Sequence, residues 1–144
     1  MLQQVSKYAE EANEFFKRVA VELGDPKDTG KAYRITRAVL HTLRKKIDAG
    51  ESMNLVSQLP MILKGIYVDG WKISPQQKNQ DGIPEFLLEI GDYLSRTAEN
   101  DFPDEQQVLN GLFAVMRVLR NYVDEGGMED IRAQMPRAIA PLFV

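Results

Sequence analysis

The chain repeats itself, and this constrains its fold more than any other feature. Shifted by 76 positions, Ala38–Val68 lies on Ala114–Val144 without a gap, and nine of the 31 pairs are identical. These are Ala38/Ala114, Val39/Val115, Leu43/Leu119, Arg44/Arg120, Asp48/Asp124, Gly50/Gly126, Gln58/Gln134, Pro60/Pro136 and Val68/Val144. Ordinary composition gives about two by chance. Several other pairs keep their apolar character, among them Leu55/Ile131, Leu63/Ile139 and Tyr67/Phe143. The repeated element is a helical unit, because its apolar positions recur at three- and four-residue steps.

In chain order, Leu2, Val5, Ala9, Ala12, Phe16, Val19 and Leu23 predict a first amphipathic helix over 3–23, stopped by Gly24. Asp25-Pro26-Lys27-Asp28 reads as a helix start with Asp25 capping, so the second helix is expected over 26–47. Ala32, Ile35, Val39, Leu43 and Ile47 form its inward face. Asp48-x-x-Glu51 is a capping box for a third helix over 49–58, and Pro60 forces a break before a fourth over 60–68. Residues 69–83, with two Asp-Gly pairs and a Ser-Pro, read as a linker. The second half restarts at Pro84, where Glu85-Phe86-Leu87 repeats Glu14-Phe15-Phe16 at an offset of 71. A helix over 103–122, a short one capped by Asp124 and a last one opened by Pro136 complete it. The expected fold is all-α: one domain, 1–144, built as a bundle of two tandem four-helix repeats, 3–68 and 84–144, related by a pseudo-two-fold.

The strings AVLHTLRKKI and SQLPMILKGIYVDGW, with their QLP, GIY and GW elements, resemble the signature of a bacterial domain-of-unknown-function family, number 2267. The resemblance covers most of the chain. It implies a small, duplicated, all-helical protein and brings no activity, substrate or cofactor with it.

Net charge −3 and a pI near 5.2 argue against bulk phosphate binding. The lack of cysteine removes disulfides, thiolate metal sites and a thiol nucleophile. No apolar run approaches the roughly 18 residues of a membrane span, and the N-terminal stretch lacks the pattern of a secretory signal. A soluble, cytoplasmic protein with no membrane partner is expected.

Candidate functional residues fall into two groups. Arg34, Arg37, His41 and Arg44 lie at i, i+3, i+7 and i+10 of the second helix, extended by Lys45 and Lys46. This basic stripe could hold a phosphate or an acidic partner, although charge stripes on helices are more often solvated faces neutralised by neighbours. His41, the only histidine, is surrounded at helical spacing by cations that lower its basicity. The second group, Tyr67, Asp69 and Trp71, is an aromatic cluster at the head of the linker, suited either to clasping the two halves or to meeting a partner. Residues identical in both halves are expected to do one structural job twice. Arg44/Arg120 are assigned to bridging the caps four residues on, and Gln58/Gln134 to loose backbone groups near the prolines. Three carboxylate clusters read as two solvated faces (Glu10/Glu11/Glu14 and Glu85/Glu89/Asp92) and a helix N-terminus (Asp124/Glu125/Glu129/Asp130).

No Gly-rich phosphate loop, nucleophile elbow or paired Glu-x-x-His occurs. No catalytic residue, metal or cofactor is therefore expected. The leading reading is a non-enzymatic helical module that self-associates or binds another protein. The alternatives are a nucleic-acid or phosphate-ligand binder using the basic stripe, and an enzyme or small-molecule carrier with a pocket between the halves.

Overall fold

A computed structural model describes residues 2–76, 82–95 and 101–143, which leaves Met1, Val144 and parts of both long connections outside the described residues. Every regular element among them is helical. They are α1 (Gln3–Glu22), α2 (Thr29–Lys46), α3 (Ala49–Ser57), α4 (Met61–Val68), α5 (Ile83–Ser95), α6 (Glu105–Leu119) and α7 (Glu125–Gln134), then a 3-10 turn over Ala140–Phe143.

The helix ends follow local chemistry. Asp28, not Asp25, caps α2, its carboxylate accepting from Lys31 N at 2.9 Å. Asp25 sits one turn earlier, where its carbonyl accepts from Asp28 N. Asp48, Asp104 and Asp124 cap α3, α6 and α7 in the same way. Pro60 stands just outside α4 with extended ψ rather than in its first turn. After Pro136 the expected last α-helix is replaced by a turn and the 3-10 segment. Pro141 is the reason: it has no N–H, and its ring would collide with the carbonyl four residues back. Gly65 occupies the matching place in α4.

α2 and α6 form the centre. α2 is buried on nearly all sides from Ala38 to Leu43, and α6 buries Val108, Gly111, Leu112 and Ala114–Met116. Thr36 and Thr42 are tolerated inside because each hydroxyl donates to the carbonyl one turn back. α1 packs on α2, α4 and α6, while α5 packs on α6 and α2. The apolar stripe of α1 is only partly used: Ala12, Phe15, Phe16 and Val19 are buried, whereas Leu2 and Val5 face outward.

α2 and α6 approach closely at Ile35 and Gly111. A Cβ on Gly111 would lie 2.8 Å from Ile35 Cγ1 and 3.0 Å from Phe102 Cε1, so glycine is what permits this contact. α3 and α7 run antiparallel and exchange caps. Asp48 N donates to Gln134 Oε1 at 2.6 Å, and Asp124 N donates to Gln58 Oε1 at 2.8 Å. Gln134 Nε2 also donates to Asp48 Oδ2 at 3.0 Å. The capping box at Asp48 is therefore half local: its carboxylate takes Glu51 N, but its own N–H is satisfied from the far end of the chain.

Candidate functional site

The basic stripe and the linker head meet at one place. α2 presents Arg34 and Arg37 beside Asp69 at the end of α4 and Tyr93 on α5, around a cleft of about 290 Å³ completed by Tyr33 and Ala38. Helical spacing alone brings the arginines together; the Pro60 break is what turns α4 so that Asp69 reaches them.

The charges in this region already have partners. Arg34 grips Asp101 through Nε and Nη2 at 2.7 and 3.3 Å, and this two-pronged bond raises its pKa. Arg37 and Asp69 are 3.6 Å apart, a looser pair with the carboxylate largely exposed. Arg44 Nη1 donates to both Tyr67 O and Asp69 O at 2.7 Å, satisfying carbonyls at the end of α4. It does not bridge to Asp48, because its side chain runs toward α4. Its pKa is lowered, first by burial. Lys45 Nζ stands 4.9 Å over the Tyr93 ring.

His41 is buried and donates from Nε2 to Ile66 O at 2.7 Å. Burial above all, then the charges of Arg44 and Arg37, push its pKa down to about 4. A neutral imidazole with that nitrogen committed is poorly placed as a general base. Lys46, at the end of the stripe, is fully buried and donates to Glu89 Oε1 at 2.8 Å. Glu89 thus does not belong to a solvated face. Periodicity could not separate it from its exposed neighbours, since the partner lies 43 residues away.

In the second group, Tyr67 is wholly buried, its hydroxyl 2.7 Å from that of Ser52, and burial pushes its pKa up to about 12. Its side chain has no surface to offer a partner. Trp71 is half-buried and stands edge-on to Tyr67, centroids 5.8 Å apart, so its nearest aromatic neighbour belongs to its own half. Gly70 makes the turn between Asp69 and Trp71 at φ +67°.

The apolar outer face of α4 escaped the sequence reading. Leu63 and Tyr67 point inward, while Met61, Ile62, Gly65 and Val68 are exposed on the opposite side. The signal was present in the spacing, at i, i+1, i+4 and i+7, but every position of α4 except Lys64 is apolar or glycine, and composition cannot say which side faces out.

Among the described residues, no group of three or more His, Asp or Glu side chains could hold a metal, and no helix is long and apolar enough to cross a membrane. No curated protein matches the chain. Residues 12–142 match the family described as an uncharacterized conserved protein, DUF2267. With 131 of its 144 residues inside that match (142 − 12 + 1), and with the all-helical architecture the quoted strings led one to expect, the chain belongs to this family.

Proposed function

We propose that the two halves are copies of one helical unit related by a pseudo-two-fold, and that the whole is a non-enzymatic interaction module that self-associates through the outer face of α4. The repeat reading is supported by contacts that recur with their partners exchanged. Gln58 caps Asp124 while Gln134 caps Asp48; the two glutamines are 76 apart, and so are the two aspartates. Ile35 and Gly111, also 76 apart, touch each other, as equivalent positions do beside a two-fold axis. Lys46 meets Glu89, and their counterparts Tyr122 and Arg18 meet as a ring and a guanidinium, 6.0 Å from centroid to Cζ. His41 meets Tyr93, and their counterparts Arg117 and Glu22 form a 3.5 Å ion pair.

The observation that carries the functional reading is the outward face of α4. Met61, Ile62 and Val68 are 46%, 38% and 43% exposed on an uncharged surface centred on Gly65. A Cβ on Gly65 would meet nothing within 4 Å, so another backbone can come close there. Two copies of this face fit each other across a two-fold, glycine against glycine. The matching positions of the second half are Arg137, Ala138, Pro141 and Val144, so three of the four differ there. Sedimentation equilibrium should show a concentration-dependent dimer, lost in Ile62→Asp with unchanged helical content. A monomer at every concentration would refute self-association. The basic stripe supports phosphate binding less well, since Arg34, His41 and Arg44 are all engaged.

A further inference from the structure

The cleft of about 290 Å³ beside α2 contains a guanidinium that the fold leaves largely unused. Arg34, Arg37, His41 and Arg44 share one side of α2, and three of the four are hydrogen-bonded. Arg34 holds Asp101, His41 meets Ile66 O, and Arg44 donates to the carbonyls of Tyr67 and Asp69. Arg37 lies between them and, among the described residues, makes no hydrogen bond. Its ion-pair partner is Asp69 at 3.6 Å, and that carboxylate side chain is 70% exposed. A pair so open to water adds little stability, so Asp69 can turn away from Arg37 at small cost. Arg34 and Arg44 are anchored elsewhere and leave the Arg37 donors facing the cleft.

The walls decide what else the cleft accepts. Tyr33 stands edge-on to Phe16 with ring centroids 5.6 Å apart, and its hydroxyl has no hydrogen bond among the described residues. Tyr93 adds a second aromatic ring, and Ala38 a buried methyl. At the edges, Arg44 holds the Asp69 carbonyl and Lys45 Nζ lies 4.9 Å over the Tyr93 ring. Four cations thus gather here, and the carboxylates they pair with are Asp69 and Asp101. This balance favours an anion, while Asp69 at the rim weighs against a multiply charged one such as phosphate. The volume lies at the lower end for ligand pockets and suits a single ring with a short acid chain rather than a larger cofactor. At the offset of 76, Tyr33, Arg34 and Arg37 answer to Leu109, Asn110 and Phe113, so no duty common to the two halves calls for them.

We propose that this cleft binds a small aryl carboxylate, whose carboxylate accepts from the Arg37 fork in place of Asp69 while its ring lies against Tyr33, Tyr93 and Ala38. The site uses none of Met61, Ile62, Gly65 or Val68, and it stands whether or not the protein self-associates. Its test is titration of phenylacetate into the full chain, followed by ¹⁵N NMR on the backbone amides of Ala38 and Asp69. Their shifts should saturate, with half-saturation at about 1 mM or below. Acetate lacks the ring and 2-phenylethanol lacks the charge, and each should bind about tenfold more weakly or worse. Arg37→Gln should lose about tenfold or more in affinity. Asp69→Asn should bind more tightly than the parent, because it removes the carboxylate that competes for Arg37. Circular dichroism checks that both variants keep their helices. Arg37→Lys, which keeps the charge without the planar fork, should also weaken binding and reads the same contact where Arg37→Gln does not fold. No saturable shift, equal binding of 2-phenylethanol, or an affinity unchanged in the Arg37 variants overturns the proposal. Inorganic phosphate binding more tightly than phenylacetate overturns the aryl carboxylate. Weaker binding in Asp69→Asn would make Asp69 a holder of the ligand rather than its competitor, and overturns the assignment of Arg37 as the anchor.

Discussion

His41 shows how a residue's surroundings decide its role. Its buried ring stays neutral, and its pKa of about 4 lies below the ordinary 6.5. The unfolded chain therefore takes up a proton that the folded one resists. Stability from this group is complete above pH 6.5 and lost as pH falls toward 4, by about 3 kcal/mol at pH 4. Urea unfolding from pH 7 to 4 should show this slope, and His41→Gln, which can still donate to Ile66 O, should remove that part of it. Lys46 poses the converse case, a charge held inside the fold, with Glu89 among its partners. Glu89→Ala would remove a charge-assisted hydrogen bond from the buried ammonium, at a cost of about 2 kcal/mol. An unfolding free energy within error of the parent would mean that the lysine finds another acceptor. Trp71, wedged on Tyr67, should behave as packing: Trp71→Ala is expected to lower the melting temperature by roughly 5 °C and to leave sedimentation unchanged.

At the scale of elements, the two α3/α7 helix starts and the α2–α6 crossing bind the halves together. Asp48→Ala or Asp124→Ala should cost about 1 kcal/mol each, since either removes an N-cap. The crossing is less forgiving. Gly111→Ala forces a methyl onto Ile35 and should destabilise by about 1–3 kcal/mol, with partial rescue by Ile35→Val. Full stability in the single variant would mean that α2 and α6 separate freely, which their buried surroundings oppose. Helix number through α7, the inward face of α2 and the caps Asp48 and Asp124 were legible in the sequence, because helix periodicity and cap chemistry act within one turn. The choice of Asp28 over Asp25 was not, since Pro26 can open a turn as readily as a helix. The closing α-helix expected after Pro136 does not form, because Pro141 stands where the first half has Gly65 and cannot donate the helical bond. The site was legible only as residue types. Which arginine is engaged, and by which carboxylate, depends on partners such as Asp101, 67 residues from Arg34.

For the whole molecule, the two copies we propose are most informative where they differ. If the halves pair as the exchanged contacts suggest, their differences at the shared interface are matched. Ile35 faces Gly111, and Lys46 faces Glu89 while Tyr122 faces Arg18. Two first halves docked in the same way would set Ile35 against Ile35 and bury Lys46 beside Arg18, like charge on like. Two second halves would leave a void between two Gly111 residues and place Glu89 on the Tyr122 ring, whose negative face repels a carboxylate. Each half is thus fitted to the other and poorly fitted to itself. Polypeptides 2–76 and 82–144, made separately and mixed, should recover the helical signal and unfolding transition of the intact chain. Overpacking and an unpaired buried charge each disfavour the first-half homodimer by about 1–3 kcal/mol, so the mixed pair should bind at least tenfold tighter than either fragment binds itself. Fragments that homodimerise as tightly as they combine would show that the contacts across the halves carry no such preference, and would remove the physical case for divergence at a two-fold.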